Sequence, residues 1–140
     1  MRTAAPFRRQ EPDTDLATEA EAVLNLIECF EDGHIQIASS DVLLFELSRI
    51  EISTRRTYCL NLLANSTSFI ELTDSIEQRA KRYSQTGIKT LDALHLASAV
   101  EGNVDHFCSC DDRLLKKARE VDTGLTKVIS VLGFIQEVKK

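Results

Sequence analysis

The stretch Thr86–Leu115, TGIKTLDALHLASAVEGNVDHFCSCDDRLL, constrains the fold more than any other part of the chain. From Thr90 its apolar residues recur at helical spacing. A short turn follows, then a strand-like run at His106–Cys110, then a second helical segment from Asp111. An acidic residue stands near the start of each helix, Asp92 in LDALHLA and Asp111 in CSCDDRLL. Acids are favoured at helix N-termini, but two of them in an otherwise apolar setting call for partners elsewhere in the chain.

The remaining segments repeat the same alternation. Residues 1–17 show no period and read as an irregular lead-in. Thr18, with Glu21 three places on, forms a capping box for a helix that Gly33 stops. The run 35–39, IQIAS, is β-type, and Ser39 or Ser40 caps the helix DVLLFELSRI. Another helix covers roughly 53–65, with Tyr58, Leu62 and Asn65 at helical spacing, and TSFIEL is a strand. Asp74 and Glu77 form a second capping box for a helix through Gln85, closed by Gly87. The helix that begins at Asp111 runs to about Val121, and the strand TKVIS precedes a short terminal helix. Strands alternating with helices through short connections mean an α/β sandwich with a parallel sheet, whose ligands sit at the carboxyl ends of the strands. Asp111, directly after a strand, falls there.

A chain of 140 residues is read as one domain, 1–140, with one sizeable core. No apolar run approaches the ~20 residues that span a bilayer. The stretch MRTAAPFRRQEPD lacks the apolar core of a signal peptide, so no membrane is expected and the location expected is cytoplasmic. Cys29, Cys59, Cys108 and Cys110 have neither zinc-knuckle nor CxxC spacing and are expected to be buried free thiols. Net charge is −5, and residues 11–32 carry eight acids with no Lys or Arg. A non-specific electrostatic grip on nucleic acid would therefore be weak, and a polyanionic substrate would need bound cations at an acidic site.

On a helical wheel of ~100° per residue, Glu46 falls between Val42 and Ile50, beside Leu43 and Leu47. Asp92 likewise shares its face with Leu96 and Ala99, next to Val100. A charged carboxylate on a core-facing stripe is costly unless it is paired or metal-bound. Singly, each acid has a plainer role: Asp92 complements the helix dipole, Asp111 caps a helix, and Glu46 pairs with an arginine. Together they suit Mg2+ or Mn2+, hard cations that keep waters and accept phosphate oxygens. Nucleophilic catalysis lacks a Ser/His/Asp or Cys/His arrangement, and no Rossmann or Walker spacing occurs.

LDALHLASAV, then DHFCSCDDRLL, then a strand and a short terminal helix, resembles the PIN domain family of metal-dependent nucleases. SSDVLLFELSRI looks like the segment that carries the family's helical acid, and the resemblance covers roughly residues 18–138. It implies a three-layer α-β-α sandwich with a mostly parallel sheet, a Mg2+ or Mn2+ site, and hydrolysis of RNA. Many small bacterial members are toxins paired with an antitoxin, so an antitoxin partner and a homodimer are expected. Carried over by position, Glu46, Asp92 and Asp111 are the metal-binding and catalytic acids. Ser109 stands for the hydroxyl of the family's T-x-D turn and supports the site through hydrogen bonds, while Asp112 is secondary.

The family also opens with a strand that ends in an Asp, and here neither an apolar strand nor such an Asp precedes PFRRQEPD. Asp13 and Asp15 lie in the wrong context. The missing central strand would leave backbone groups unpaired. Three repairs are open: a strand from another chain, RTAAPF joining the sheet, or a rearranged dimer. Arg113 and Lys116, in a basic run with Lys117 and Arg119, are candidates for contact with RNA phosphates, against the plainer assignment of a solvated face. Arg55–Arg56 and Arg79–Arg82 are weaker candidates. His95, one turn after Asp92 at the margin of the apolar face, reads as a hydrogen-bonded structural histidine, and His34 and His106 have no evident partner. Two further readings stand beside the nuclease. One is a catalytically impaired PIN-like module that binds RNA or a protein. The other, ranked last, is a phosphoacceptor domain of the receiver type, which lacks its acidic pair and its Lys.

Overall fold

Parallel strands need crossovers, and this chain supplies them as helices. A computed structural model of the protein describes the backbone of residues 2–4 and 16–138, with side chains from Leu24 to Val138. β1 (Arg2–Ala4), β2 (Ile35–Ser40) and β3 (Ser68–Ile70) pair in parallel, with Thr3 opposite Gln36 and Ser39 opposite Phe69. β4 (His106–Ser109) and β5 (Lys127–Ser130) form a second parallel ladder, with Phe107 opposite Val128. β1 also lies against β4. The expected gap at the first strand is therefore corrected: Arg2–Ala4 joins the sheet beside β2, the second of the three repairs. Three residues with no apolar pattern serve because strand pairing is a backbone interaction. Met1 and residues 5–15, with most of the expected lead-in and both Asp13 and Asp15, lie outside the described residues.

Seven helices accompany the strands among the described residues: α1 (Leu16–Glu31), α2 (Asp41–Ser48), α3 (Ser53–Leu63), α4 (Asp74–Gln85), α5 (Thr90–Glu101), α6 (Asp112–Ala118) and α7 (Val131–Val138). Strand alternation sorts them into two layers. Ile35 on β2 and Cys108 on β4 meet Leu26 and Cys29 of α1 and Phe134 and Ile135 of α7. Ile37 packs with Leu43 and Leu47 of α2 and Cys59 and Leu63 of α3. On the opposite face Ala38 and Phe107 join Ile76, Ala80, Leu96, Ala97 and Leu114 from α4, α5 and α6. This is the three-layer α-β-α arrangement. All four cysteines are buried free thiols, as expected, and burial drives the Cys108 thiol far above its ordinary range.

Helix ends differ in detail from the sequence expectations. α1 begins at Leu16, so Thr18 lies inside it rather than at its cap. Gly33 does stop it, at φ +80°, with His34 N–H bonded to Cys29 O at 2.9 Å and Gly33 N–H to Phe30 O at 3.1 Å; this is the paired bonding of a Schellman end. Ser40, not Ser39, caps α2, its Oγ accepting from Leu43 N–H at 3.0 Å. The cap of α4 is Thr73, whose Oγ1 accepts from Ile76 N–H at 3.2 Å, and Asp74 is the first helical residue. α3 stops at Leu63, short of Asn65, and α6 stops at Ala118, short of Val121. Gly102, just past α5, lets that helix end approach β3: a Cβ there would stand 2.5 Å from Ile70 Cδ1. No helix among the described residues is long and apolar enough to cross a membrane.

Candidate functional site

α5 is buried almost all round, from Asp92 and Ala93 through Val100. Its alanines, Ala93, Ala97 and Ala99, let α4 and the sheet close in on it. α5 leads into β4 through a short turn and packs against it. Its far end, where Asp92 lies in the first turn, is therefore at the carboxyl edge of the sheet. Asp92 is only 7% exposed, as the apolar stripe requires.

α2 follows β2 without a loop and so starts at that same edge. Glu46 lies in its second turn and is half-buried, its side chain 30% exposed, which corrects its expected place at the centre of the apolar stripe. α2 ends at Ser48, so Ile50 is not on its wheel, and Phe45 faces solvent beside it. Glu46 Oε1 lies 3.1 Å from His95 Nε2 on α5. His95 is 6% exposed, deeper than the margin where the sequence puts it. Positions three apart on a helix are neighbours on one face, so Asp92 and His95 sit together, and the bond to His95 brings Glu46 to them across the α2–α5 seam.

The third acid is held by its own turn. Ser109, fully buried at the end of β4, accepts on Oγ from Asp111 N–H at 3.0 Å. Asp111 Oδ1 in turn accepts from Arg113 N–H at 2.9 Å and Leu114 N–H at 3.3 Å, capping α6. These are the short-range side-chain bonds that Ser and Asp make at a strand-to-helix junction. Strand alternation puts Ser109 on the same face as Phe107, the face that α5 covers. Arg113, Lys116, Lys117 and Arg119 are all exposed along α6.

Among the described residues, no group of three or more His, Cys, Asp or Glu stands close enough to cage a metal ion. Glu46 and Asp92 instead offer a pair of oxygen donors, and Asp111 lies past the carboxyl end of β4 on the same edge of the sheet. That set fits Mg2+, which binds through one or two carboxylates and completes its shell with waters and substrate phosphate oxygens. A shallow cleft of about 380 Å³ runs along α3, lined by Ser53, Thr54, Thr57, Tyr58 and Asn61, and includes none of these residues.

Two contacts were not legible in the sequence. His95 meets Glu46 across 49 positions; its spacing from Asp92 was the available signal. His106, expected to lack a partner, is buried against the Phe134 ring at 4.8 Å and has Nε2 3.1 Å from Glu137 Oε2. No local pattern marks that pair. His34 is exposed, as a loop residue should be.

A family model for the PIN domain matches residues 9–120. Among solved structures, a chain from the crystal structure of VapBC2 from Rickettsia felis, bound to a DNA fragment from their promoter, aligns with a TM-score of 0.55. The alignment covers 91% of this chain and 98% of that one at 13% sequence identity, a likeness of fold alone. No curated protein matches the sequence.

Proposed function

This chain belongs to the PIN domain family, and on that premise we propose that it is an endoribonuclease that hydrolyses RNA phosphodiesters with Mg2+ or Mn2+, as the toxin of a toxin–antitoxin pair. The observation that carries the reading is Asp92. A carboxylate only 7% exposed at the carboxyl edge of the sheet, with a second carboxylate brought to its helix by His95, is the kind of acidic pair that a divalent cation with its own waters can take.

Glu46 and Asp92 would hold the ion directly, with Asp111 the third of the proposed catalytic acids and Ser109 fixing the turn that presents it. The cation would supply charge neutralisation at the phosphate and a polarised water for in-line attack. The chain's own residues do the rest. Ser109 holds the Asp111 backbone N–H, and Arg113 and Lys116, exposed beyond Asp111, attract RNA phosphates on a chain of net charge −5. The proposed setting is one domain of 140 residues in the cytoplasm, as a homodimer bound by an antitoxin. The likeness to a chain of VapBC2 supports such a partner.

Cleavage of a single-stranded RNA under Mn2+ titration tests this directly. Cutting should require the metal and fall roughly 100-fold or more in Asp92→Asn, since metal-assisted stabilisation is worth several kcal/mol. Cleavage unchanged by Asp92→Asn would sink the site. One observation favours a second reading, a module that binds RNA or protein without cutting. β1 is followed by Ala5 and Pro6, where the family has an acid. That reading expects RNA binding indifferent to Mn2+ and no product at any metal concentration.

A further inference from the structure

We propose that His95 is a positioning residue that holds the Glu46 carboxylate in place for a divalent cation, an inference that rests on reading Glu46 and Asp92 as cation ligands. The ring is 6% exposed and belongs to α5, which is buried almost all round, whereas the glutamate it meets is 30% exposed on a helix of two turns. The rigid partner is the histidine. A glutamate side chain has three rotatable bonds, and at the surface it exchanges among rotamers. A hydrogen bond of 3.1 Å from a ring locked in the core selects one of them.

An ionised carboxylate only accepts, so the proton of this bond is on Nε2 of the ring. Asp92 lies one turn before His95 on the same helix face. The ring therefore delivers Glu46 to the neighbourhood of Asp92, although the two acids come from helices that meet only at this seam. A histidine buried merely for packing would satisfy its nitrogen on any nearby backbone carbonyl. This one reaches across to the side chain whose orientation matters to the site.

The test is Mn2+ affinity of the full chain without RNA, read by electron paramagnetic resonance, with folding checked by circular dichroism. His95→Leu keeps bulk and removes the donor. His95→Asn is polar but too short to reach Glu46, and His95→Gln places an amide N–H near the position of Nε2. Affinity should fall about tenfold or more in the first two, the usual loss when a ligand's supporting partner is removed, and stay within about threefold in His95→Gln. If His95→Leu does not fold, His95→Asn carries the comparison. Native affinity in His95→Leu or His95→Asn overturns the proposal, as does an equal loss in His95→Gln. In those outcomes a weakened Asp92→Asn still upholds the site itself. Absence of saturable Mn2+ binding by the native chain overturns both.

Discussion

At Asp111 a structural and a chemical duty fall on one side chain, and the two can be separated. Its Oδ1 caps α6 through Arg113 N–H and Leu114 N–H. Asn caps about as well as Asp, whereas Ala does not. Asp111→Asn should thus leave stability within about 0.5 kcal/mol of the native chain, and Asp111→Ala should cost about 1 kcal/mol, both read from urea midpoints. Mn2+ affinity should fall in both. If Asp111→Asn binds Mn2+ as the native chain does, Asp111 is a cap and nothing more. Ser109 cannot be separated so cleanly, because it is fully buried and its hydroxyl holds the Asp111 backbone N–H.

At the scale of elements, α7 is tied to the second ladder through Glu137. Lys127 of β5 donates to Glu137 Oε1, and His106 of β4 stands 3.1 Å from Oε2. The hydrogen bond from Lys127 is the main influence holding the Glu137 carboxyl below its ordinary value of 4.5, with His106 adding to it. A carboxyl depressed in the folded chain contributes stability above its unfolded value, and that contribution is lost as pH falls through the folded value. Native chain and Glu137→Gln should therefore differ in urea midpoint at pH 7, and the gap should close as pH falls below about 4.5. A gap that persists at pH 2 would mean that Glu137 acts through packing rather than charge. α4 is tied differently, by a charged bond to α5 and a neutral one to the segment after α6. Arg79 donates to Glu101 at 2.5 Å and to the Tyr83 hydroxyl at 3.2 Å, while that hydroxyl donates to Asp122 O at 2.6 Å. The bond to Tyr83, then that to Glu101, raises the Arg79 guanidinium further, so it stays charged at any working pH.

For the whole molecule the decisive element is one of its two shortest strands. β1 pairs three residues with β2 and lies against β4, so it connects the two ladders. Deleting residues 1–5 should lower stability by about 3 kcal/mol, from three paired residues at about 1 kcal/mol each. The check is denaturant unfolding with two probes, because loss of a joining strand should also split one transition into two. A deletion variant as stable as the native chain would show that the ladders hold together without β1.

The sequence by itself determined the α/β class, the strand–helix order and the family. Each rests on short-range periodicity or on motifs within a few residues, which local sterics and burial impose directly. It also determined that Asp92 would be buried, since one apolar stripe includes it. Caps were legible only to within a residue, because Ser39 and Ser40, or Thr73 and Asp74, are both competent and the chain path selects one. Only the tertiary structure decided that Arg2–Ala4 serves as a strand, that His95 meets Glu46, and that His106 meets Glu137. Those are pairings between distant positions, set by how the layers pack around the sheet, and no local pattern encodes them.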